Sequence, residues 1–476
     1  AVKEGPLAAA PAFFIFVSLC VSILLGVRTS APASVIAAVS ALFSAAAIFA
    51  GTEREVPGWR RMLALVVILS FGLSFISAAR MREKISFPDS FEAYGKILLA
   101  RDWGKTRAYL IETPYGRAAA YSRENLREGA GVRLRAASFD FKRAEERGGF
   151  DEMLFWRGKG AVKKLELFEI RETAPPSGLA AWRAHLDELF RARLYPLSAA
   201  YMSALTTGRR SAAIEEPHER AGTIHLLSVS GFHVGVLAGL LFFLKRGGAA
   251  RTVTVSALLW LYVAFAGFPP GGVRAAAMAQ ICIAAEALGR PYCSFNNVSA
   301  AACLMLLYNP WSFFDVGWRL SVLAALFITA GVRLVGRGFA GAAALSVLVW
   351  FVSAPVVAEV FSSVPVAGLT ANLVAVPYFA VVFPLIFALC LPPLLGLPFG
   401  VFFARACELI LAFSQGALWD LASLTPAQVG YTTPLFVLAA AIFCSAAALR
   451  CGAPLRRAPF IVLFSLAVLL YFRAVL

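Results

Sequence analysis

The stretch IHLLSVSGFHVGVLAGLLFFL, residues 224–244, is long and apolar enough to enter a membrane, yet residues 225–235 within it hold two histidines, two serines and two glycines. About 17 to 25 apolar residues in a helix match ~30 Å of hydrocarbon. Polar side chains at that depth need partners or water. Two readings fit these residues. One is the wall of a hydrated interior, where a broken helix is tolerated. The other is ordinary helix packing, with small residues at the contact and hydroxyls bonding across it.

Working outward, similar apolar segments recur. Three open the chain, at about 7–27, 32–51 and 62–79. A polar block follows, about 81–195. Ten more segments lie near 222–244, 252–268, 272–288, 296–308, 316–332, 339–362, 366–395, 398–424, 433–449 and 458–475. The 476 residues are 59% hydrophobic with mean hydropathy +0.73, against about half apolar for a soluble domain. The fold class expected is a polytopic α-helical membrane protein of roughly 11–13 spans with an inserted small β-barrel. Leu7–Val27 is read as a span, since it is too long for a cleaved signal and lacks a small-residue cleavage site.

Lys3, Arg54, Arg60 and Arg61 fall on one side if the first three segments cross. The same alternation groups Lys245, Arg246, Arg251, Arg290, Arg333, Arg337, Arg450, Arg456 and Arg457 with them. The positive-inside rule then puts the N-terminus in the cytoplasm and the polar block outside. Arg80, Arg82 and Lys84 dissent where a long domain begins and the rule weakens. The net charge of +16 fits either basic cytoplasmic loops or a polyanionic partner. Eight cysteines with no CxxC pair read as small buried apolar residues.

Within the polar block, 96–103, 106–113, 116–122, 131–138 and 161–171 are strand-like and are separated by Gly, Pro and Asp. Five short strands imply a small barrel, with an OB-like barrel one candidate. Cations alternate with rings at Arg101, Trp103, Lys105, Arg107, Tyr109, Tyr115, Arg117, Tyr121 and Arg123. That mix suits single-stranded nucleic acid, with cations on phosphate and rings on bases. It equally suits a solvated sheet face. PPSG (175–178) reads as a linker, 182–196 as an amphipathic helix along the membrane surface, and 197–210 as re-entrant or interfacial. The division expected is 1–80 N-terminal helices, 81–180 barrel, 181–220 linker and 221–476 main transmembrane domain.

His225 and His233 are eight residues apart, about 12 Å along a straight helix and turned by roughly 80°, so they cannot share a metal there. No metal-binding cluster and no phosphate loop is legible, and no cofactor is expected. His185 and His218 lie in polar context and are expected on the surface. Further polar groups punctuate the apolar segments: Arg274, Glu286, Asn296, Asn297, Asp315, Arg319, Glu359 and Asn372. Charges in hydrocarbon tend to mark pathways.

These segments resemble the ComEC-type competence proteins. AGTIHLLSVSGFHVGVLAGL (221–240) is similar to that family's histidine-rich signature, and GVRAAAMAQ (272–280) to its RA-x-x-M segment. Residues 289–326 resemble its GR…NP…D-x-G stretch, 353–379 its Asn-Leu…Pro region, and 146–165 the end of its extracytoplasmic OB-like domain. Trp318 and Arg319 stand where Phe and Gln are usual. The resemblance implies an inner-membrane channel, in the bacterial cell membrane, importing single-stranded DNA in natural transformation. His225, Ser228, Ser230, Gly231, His233, Arg274, Asn372, Asp315, Arg319 and Glu359 are then expected to line or gate it. Arg101, Trp103, Lys105, Arg107, Tyr109, Arg117 and Tyr121 would contact DNA on the barrel. With no ATP site legible in the chain, uptake further implies a helicase-like cytoplasmic ATPase and an extracytoplasmic DNA receptor as partners beside single-stranded DNA and the lipid bilayer, with a homo-oligomer a candidate state. Many members carry a C-terminal metallo-β-lactamase-like domain, and this chain is expected to be a form lacking it. No enzymatic activity is expected. A membrane-bound nucleic-acid hydrolase and a small-solute or lipid transporter are the alternatives.

Overall fold

The computed structural model describes residues 11–51, 59–83, 86–143, 151–229, 231, 233–235, 249–289, 293–332, 338–361, 363–424 and 428–430. The expected segments 433–449 and 458–475 lie outside the described residues. Among the described residues, five helices are long and apolar enough to cross a membrane: Pro11–Arg28, Leu63–Met81, Phe339–Ala358, Ala367–Leu394 and Gly400–Leu424. Shorter apolar helices include Ala33–Leu42, Thr252–Phe265, Ser294–Tyr308 and Val316–Thr329. The architecture is a helical membrane protein with an inserted barrel.

Three helices come first: α1 (Pro11–Arg28), α2 (Ala33–Gly51) and α3 (Trp59–Met81). Hydroxyls join α1 to α3: Ser18 Oγ and Ser74 Oγ lie 3.1 Å apart, and Ser22 Oγ donates to Ser74 O. Small residues bring helix backbones close where lipid supplies no driving force.

The barrel follows: β1 (Ser90–Trp103), β2 (Thr106–Thr113), β3 (Gly116–Ser122), β4 (Gly131–Phe139), helix α4 (Glu152–Gly158) and β5 (Lys163–Ala174). The sheet closes in the order β1-β2-β3-β5-β4, with β3 and β5 parallel and β1 returning to β4. Closure needs one strand to serve two neighbours. The long β1 does so, pairing with β4 over residues 90–96 and with β2 over 96–103, across a register shift between Ile97 and Leu99. Gly95 sits at this crossover, where a Cβ would approach Glu112 O to 2.8 Å. The inward residues of the alternating strands, among them Ile97, Ile111, Val132, Leu134 and Ile170, fill the interior.

Next come α5 (Leu179–Arg193), α6 (Pro196–Thr206), α7 (Ala212–Arg220), α8 (Ala249–Phe265), α9 (Pro270–Ala287), α10 (Ser294–Tyr308), α11 (Val316–Gly331) and α12 (Phe339–Phe361). Strand β6 (Ser363–Pro365), α13 (Ala367–Leu394), α14 (Gly400–Leu424) and β7 (Gln428–Gly430) complete the described chain. Two apolar packs form. One joins α1, α10 and α11 through Leu19, Ile23, Val298, Leu306 and Trp318. The other joins α6, α13 and α14 through Tyr201, Phe379, Phe383 and Leu411.

The amphipathic helix α5 packs one face against the bundle. Arg193 Nη1 donates to Leu394 O at the end of α13 (2.8 Å), and Glu408 of α14 caps α6 by accepting from Leu197 N and Ser198 N. His218, expected on the surface, is fully buried. Its ring nitrogens lie 2.9 Å from Tyr201 Oη and 2.9 Å from Thr223 Oγ1, and the ring packs on Phe379. The polar look of its neighbours misled because only one face of α7 is solvated. Pro217 and Ile214 join His218 on the buried face.

Two polar seams fix the barrel to the helices. In one, buried Glu128, before β4, accepts from Arg183 (2.6 Å) and Arg209 (3.2 Å). Buried Asp187 accepts from Arg209 (2.8 Å) and Thr207 Oγ1 (2.9 Å). In the other, α4 meets the 3₁₀ turn Pro310–Phe314. Lys159 Nζ donates to Asp315 Oδ2 at 2.6 Å, and Asn309 Nδ2 donates to Arg157 O and Gly158 O. The Arg157 guanidinium lies over Trp311.

Both seams make expectations. Glu128→Gln leaves Arg183 facing no carboxylate, while Asp187 still answers Arg209. A loss of about 3 kcal/mol is expected, at the lower end for breaking a buried pair, read as a lower melting temperature in detergent. Lys159→Met strands Asp315 at the seam. It should raise protease sensitivity of the 140–162 connection, and a reversed pair, Lys159→Asp with Asp315→Lys, should restore protection. Unchanged proteolysis in the single variant would show that the seam does not hold the barrel.

Candidate functional site

Residues 224–235 do not form one continuous helix. A 3₁₀ turn covers Ile224–Leu227, Ser228 is extended (φ −89°, ψ 144°), and helix is again present at Gly231 and 233–235. Ser228 Oγ donates to His225 O (2.9 Å), a local bond that competes with helix continuation. Gly222, at φ +66°, lets the chain turn against α13, where a Cβ would lie 2.8 Å from Gly368 Cα. The break sorts the side chains. Leu226, Leu227 and Val229 are buried, whereas His225 is exposed toward an internal cavity. Gly272 of α9 allows the segment to lie close, since a Cβ there would meet Val229 at 3.3 Å.

That cavity has a volume of about 3880 Å³. Its walls come from residues 222–235, α9, α11, α12 and α13, together with the barrel and α4. Along α12 the lining residues step from Phe339 through Ala342, Leu345, Val349, Ser353 and Val357 to Val360. This is one helix face. At 1.5 Å per residue it extends about 32 Å, the thickness of a hydrocarbon core. The seam with α4 marks the barrel side, at the start of α11. Pro270 of α9 lies close to Gly317 there, and Gly222 meets Gly368 at the start of α13.

The cavity gathers His225, Ser228, Gly231, Arg274, Asp315, Arg319 and Asn372 on its wall, and Arg101, Arg107 and Arg117 at the barrel. Their roles differ. Asp315 caps α11 by accepting from Trp318 N, besides pairing with Lys159. Arg319 is buried and donates to Phe313 O and Phe314 O, bracing the turn before α11. Arg274 is 8% exposed and, among the described residues, bonds neutral acceptors: Nε donates to Ser321 Oγ (2.8 Å) and Nη1 to Met278 Sδ (3.2 Å). Asn372 Oδ1 is buried with no hydrogen-bond partner among the described residues. Arg107 donates to Asn125.

Other expected site residues fall elsewhere. His233 is 7% exposed and stacks on Phe383 with centroids 5.2 Å apart, so it packs the second helical cluster rather than the cavity wall. Tyr109 is wholly buried in the barrel and its hydroxyl donates to Glu124 O, so its ring offers no face to a base. The alternation of strand residues explains this: Tyr109 lies on the inward face with Ile111. Trp103 stacks near Phe155 (5.5 Å) and Tyr121 (6.2 Å), and Trp156 Nε1 donates to Tyr121 Oη (2.7 Å). Burial pushes the Tyr121 hydroxyl pKa up to about 12, keeping it protonated. Lys105 is exposed at the β1–β2 turn. Ser230 lies outside the described residues, and so does the Glu359 side chain.

Two of the other polar residues singled out in the helices serve as staples. Asn296 Oδ1 accepts from Ala12 N, and Asn297 Nδ2 donates to Met278 O. Lys159 and Ser321 were not anticipated; each matters through a partner distant in sequence, Asp315 and Arg274 respectively. Among the described residues, no group of three His, Cys, Asp or Glu side chains is gathered to hold a metal.

The chain is 28% identical over 207 residues to ComE operon protein 3 of Bacillus subtilis (strain 168), a match covering 41% of this chain and 27% of that relative. The aligned part is thus well under two thirds of the relative's length. No solved structure matches. Residues 205–456 match the family described as competence protein, a stretch that takes in the broken segment, Arg274, Asp315 and Asn372, and the chain belongs to that family.

Proposed function

We propose that this protein takes part in DNA uptake in competence, as a conduit passing single-stranded DNA across the bacterial inner membrane. One observation carries the reading: a cavity about as long as a hydrocarbon core is thick begins beside barrel arginines and continues past a broken, polar segment. A phosphodiester strand cannot cross hydrocarbon bare, and needs a hydrated route with donors or cations on its wall. Arg101, Arg107 and Arg117 give the strand a cationic approach, and His225, Ser228, Arg274 and Asn372 a polar wall.

The five-stranded closure and strand order support an OB-like barrel. The distribution of basic loops supports a barrel outside and an N-terminus in the cytoplasm. The four-part division at 80, 180 and 220 is kept as a working description, with the 181–220 segment packed onto the bundle. Movement of the strand needs work from elsewhere, which makes a cytoplasmic helicase-like ATPase and an outer DNA receptor the partners in this reading.

The direct test is transformation of a strain lacking this chain. Complementation by wild type should restore DNA uptake, and a chain narrowed by Ser353→Trp on the α12 face should not, while folding and inserting normally. Restoration by both would remove the conduit. A second expectation concerns the barrel. Arg101, Arg107 and Arg117 replaced together by Gln should weaken oligonucleotide binding and flatten the plot of log affinity against log salt by about 2, given ~0.7 per single-strand phosphate contact. An unaltered slope would exclude these three from the DNA path.

A further inference from the structure

We propose that Arg274 and Gly231 form a binding site for a single phosphate group of the strand, an inference that rests on the conduit reading. The first observation is the guanidinium itself. A buried arginine ordinarily finds a carboxylate, and most charged groups at the barrel seams do so. Arg274 does not. Its Nε and Nη1 bonds go to a hydroxyl and a thioether, which carry no charge, and no carboxylate lies within ion-pair distance among the described residues.

The second observation is the space beside it. Nη2 faces Gly231, where a Cβ would lie 3.3 Å away and also 3.6 Å from Ala275 Cβ. A glycine here lets the main chain come close to Nη2 without covering it with a side chain, and both residues line the cavity. Arginine presents its donors in a planar fork suited to phosphate oxygens.

The third is depth. Arg274 is the fifth residue of α9, Ser321 the sixth of α11 and Asn372 the sixth of α13. Helical rise puts each about 6–8 Å in from the barrel-side start of its helix. The Arg274–Ser321 bond holds the guanidinium at this level. Its neutral anchors orient the side chain without neutralising it. One cation just inside the mouth attracts a polyanion without the multiple contacts that would arrest it, since conduction requires weak, successive binding.

The test uses the full chain in lipid nanodiscs, with a short oligothymidylate and its uncharged methylphosphonate analogue as probes. Wild type should prefer the phosphodiester, and Arg274→Gln should lower the salt slope by about 0.7, one single-strand contact. Arg274→Lys should keep the slope. Gly231→Val, which sets a side chain against Nη2 and leaves the cation, should lower it as Arg274→Gln does, and it serves if that variant fails to fold. An unchanged slope in Gly231→Val and Arg274→Gln would reduce Arg274 to a clamp between α9 and α11. Failure of wild type to bind the phosphodiester at low salt would instead overturn the conduit reading itself.

Discussion

Paired charge at the seams is the constraint on which the arrangement depends. Glu128 and Asp187 are buried carboxylates, and each is answered by arginine. Asp315 is answered by Lys159 across the gap between barrel and bundle. A buried charge without its partner is costly enough to unfold a marginal contact. The barrel therefore sits where these pairs allow, and its Arg101, Arg107 and Arg117 come to lie at the cavity.

Against that background, Arg274 stands out by its chemistry rather than its position. The seam charges are neutralised locally and hold structure. Among the described residues Arg274 is held by a hydroxyl and a thioether. The same contrast separates the histidines. His218 is locked between Tyr201 and Thr223 and His233 is stacked on Phe383, while His225 alone of these three meets the cavity. Polar residues of one type thus divide into structural staples and cavity wall according to what packs beside them.

The broken segment answers the question that its composition raises. Its polarity is not spread around a lipid-facing helix. Ser228 bonds back to His225 O, the helix is interrupted, and apolar and polar side chains part to opposite sides. Gly222 and Gly272 permit the close contacts with α13 and α9 that hold the interruption in place.

By itself, the sequence determined the helical membrane class, the five strands of the barrel and the polar character of residues 225–235. Those follow from local properties: apolar run length, period-two alternation, and the cost of polarity in hydrocarbon. Only the tertiary structure decided which polar side chains face the cavity. Tyr109 and Arg107 share one face of β2, yet Tyr109 is core while Arg107, at the strand's end, reaches the cavity, and Asp315 lines the cavity while pairing with Lys159. The reason is physical. Which face a strand or helix buries, and which charge a lysine answers, depend on partners that only the fold brings together, as it brings Lys159 to Asp315, and no local pattern encodes them.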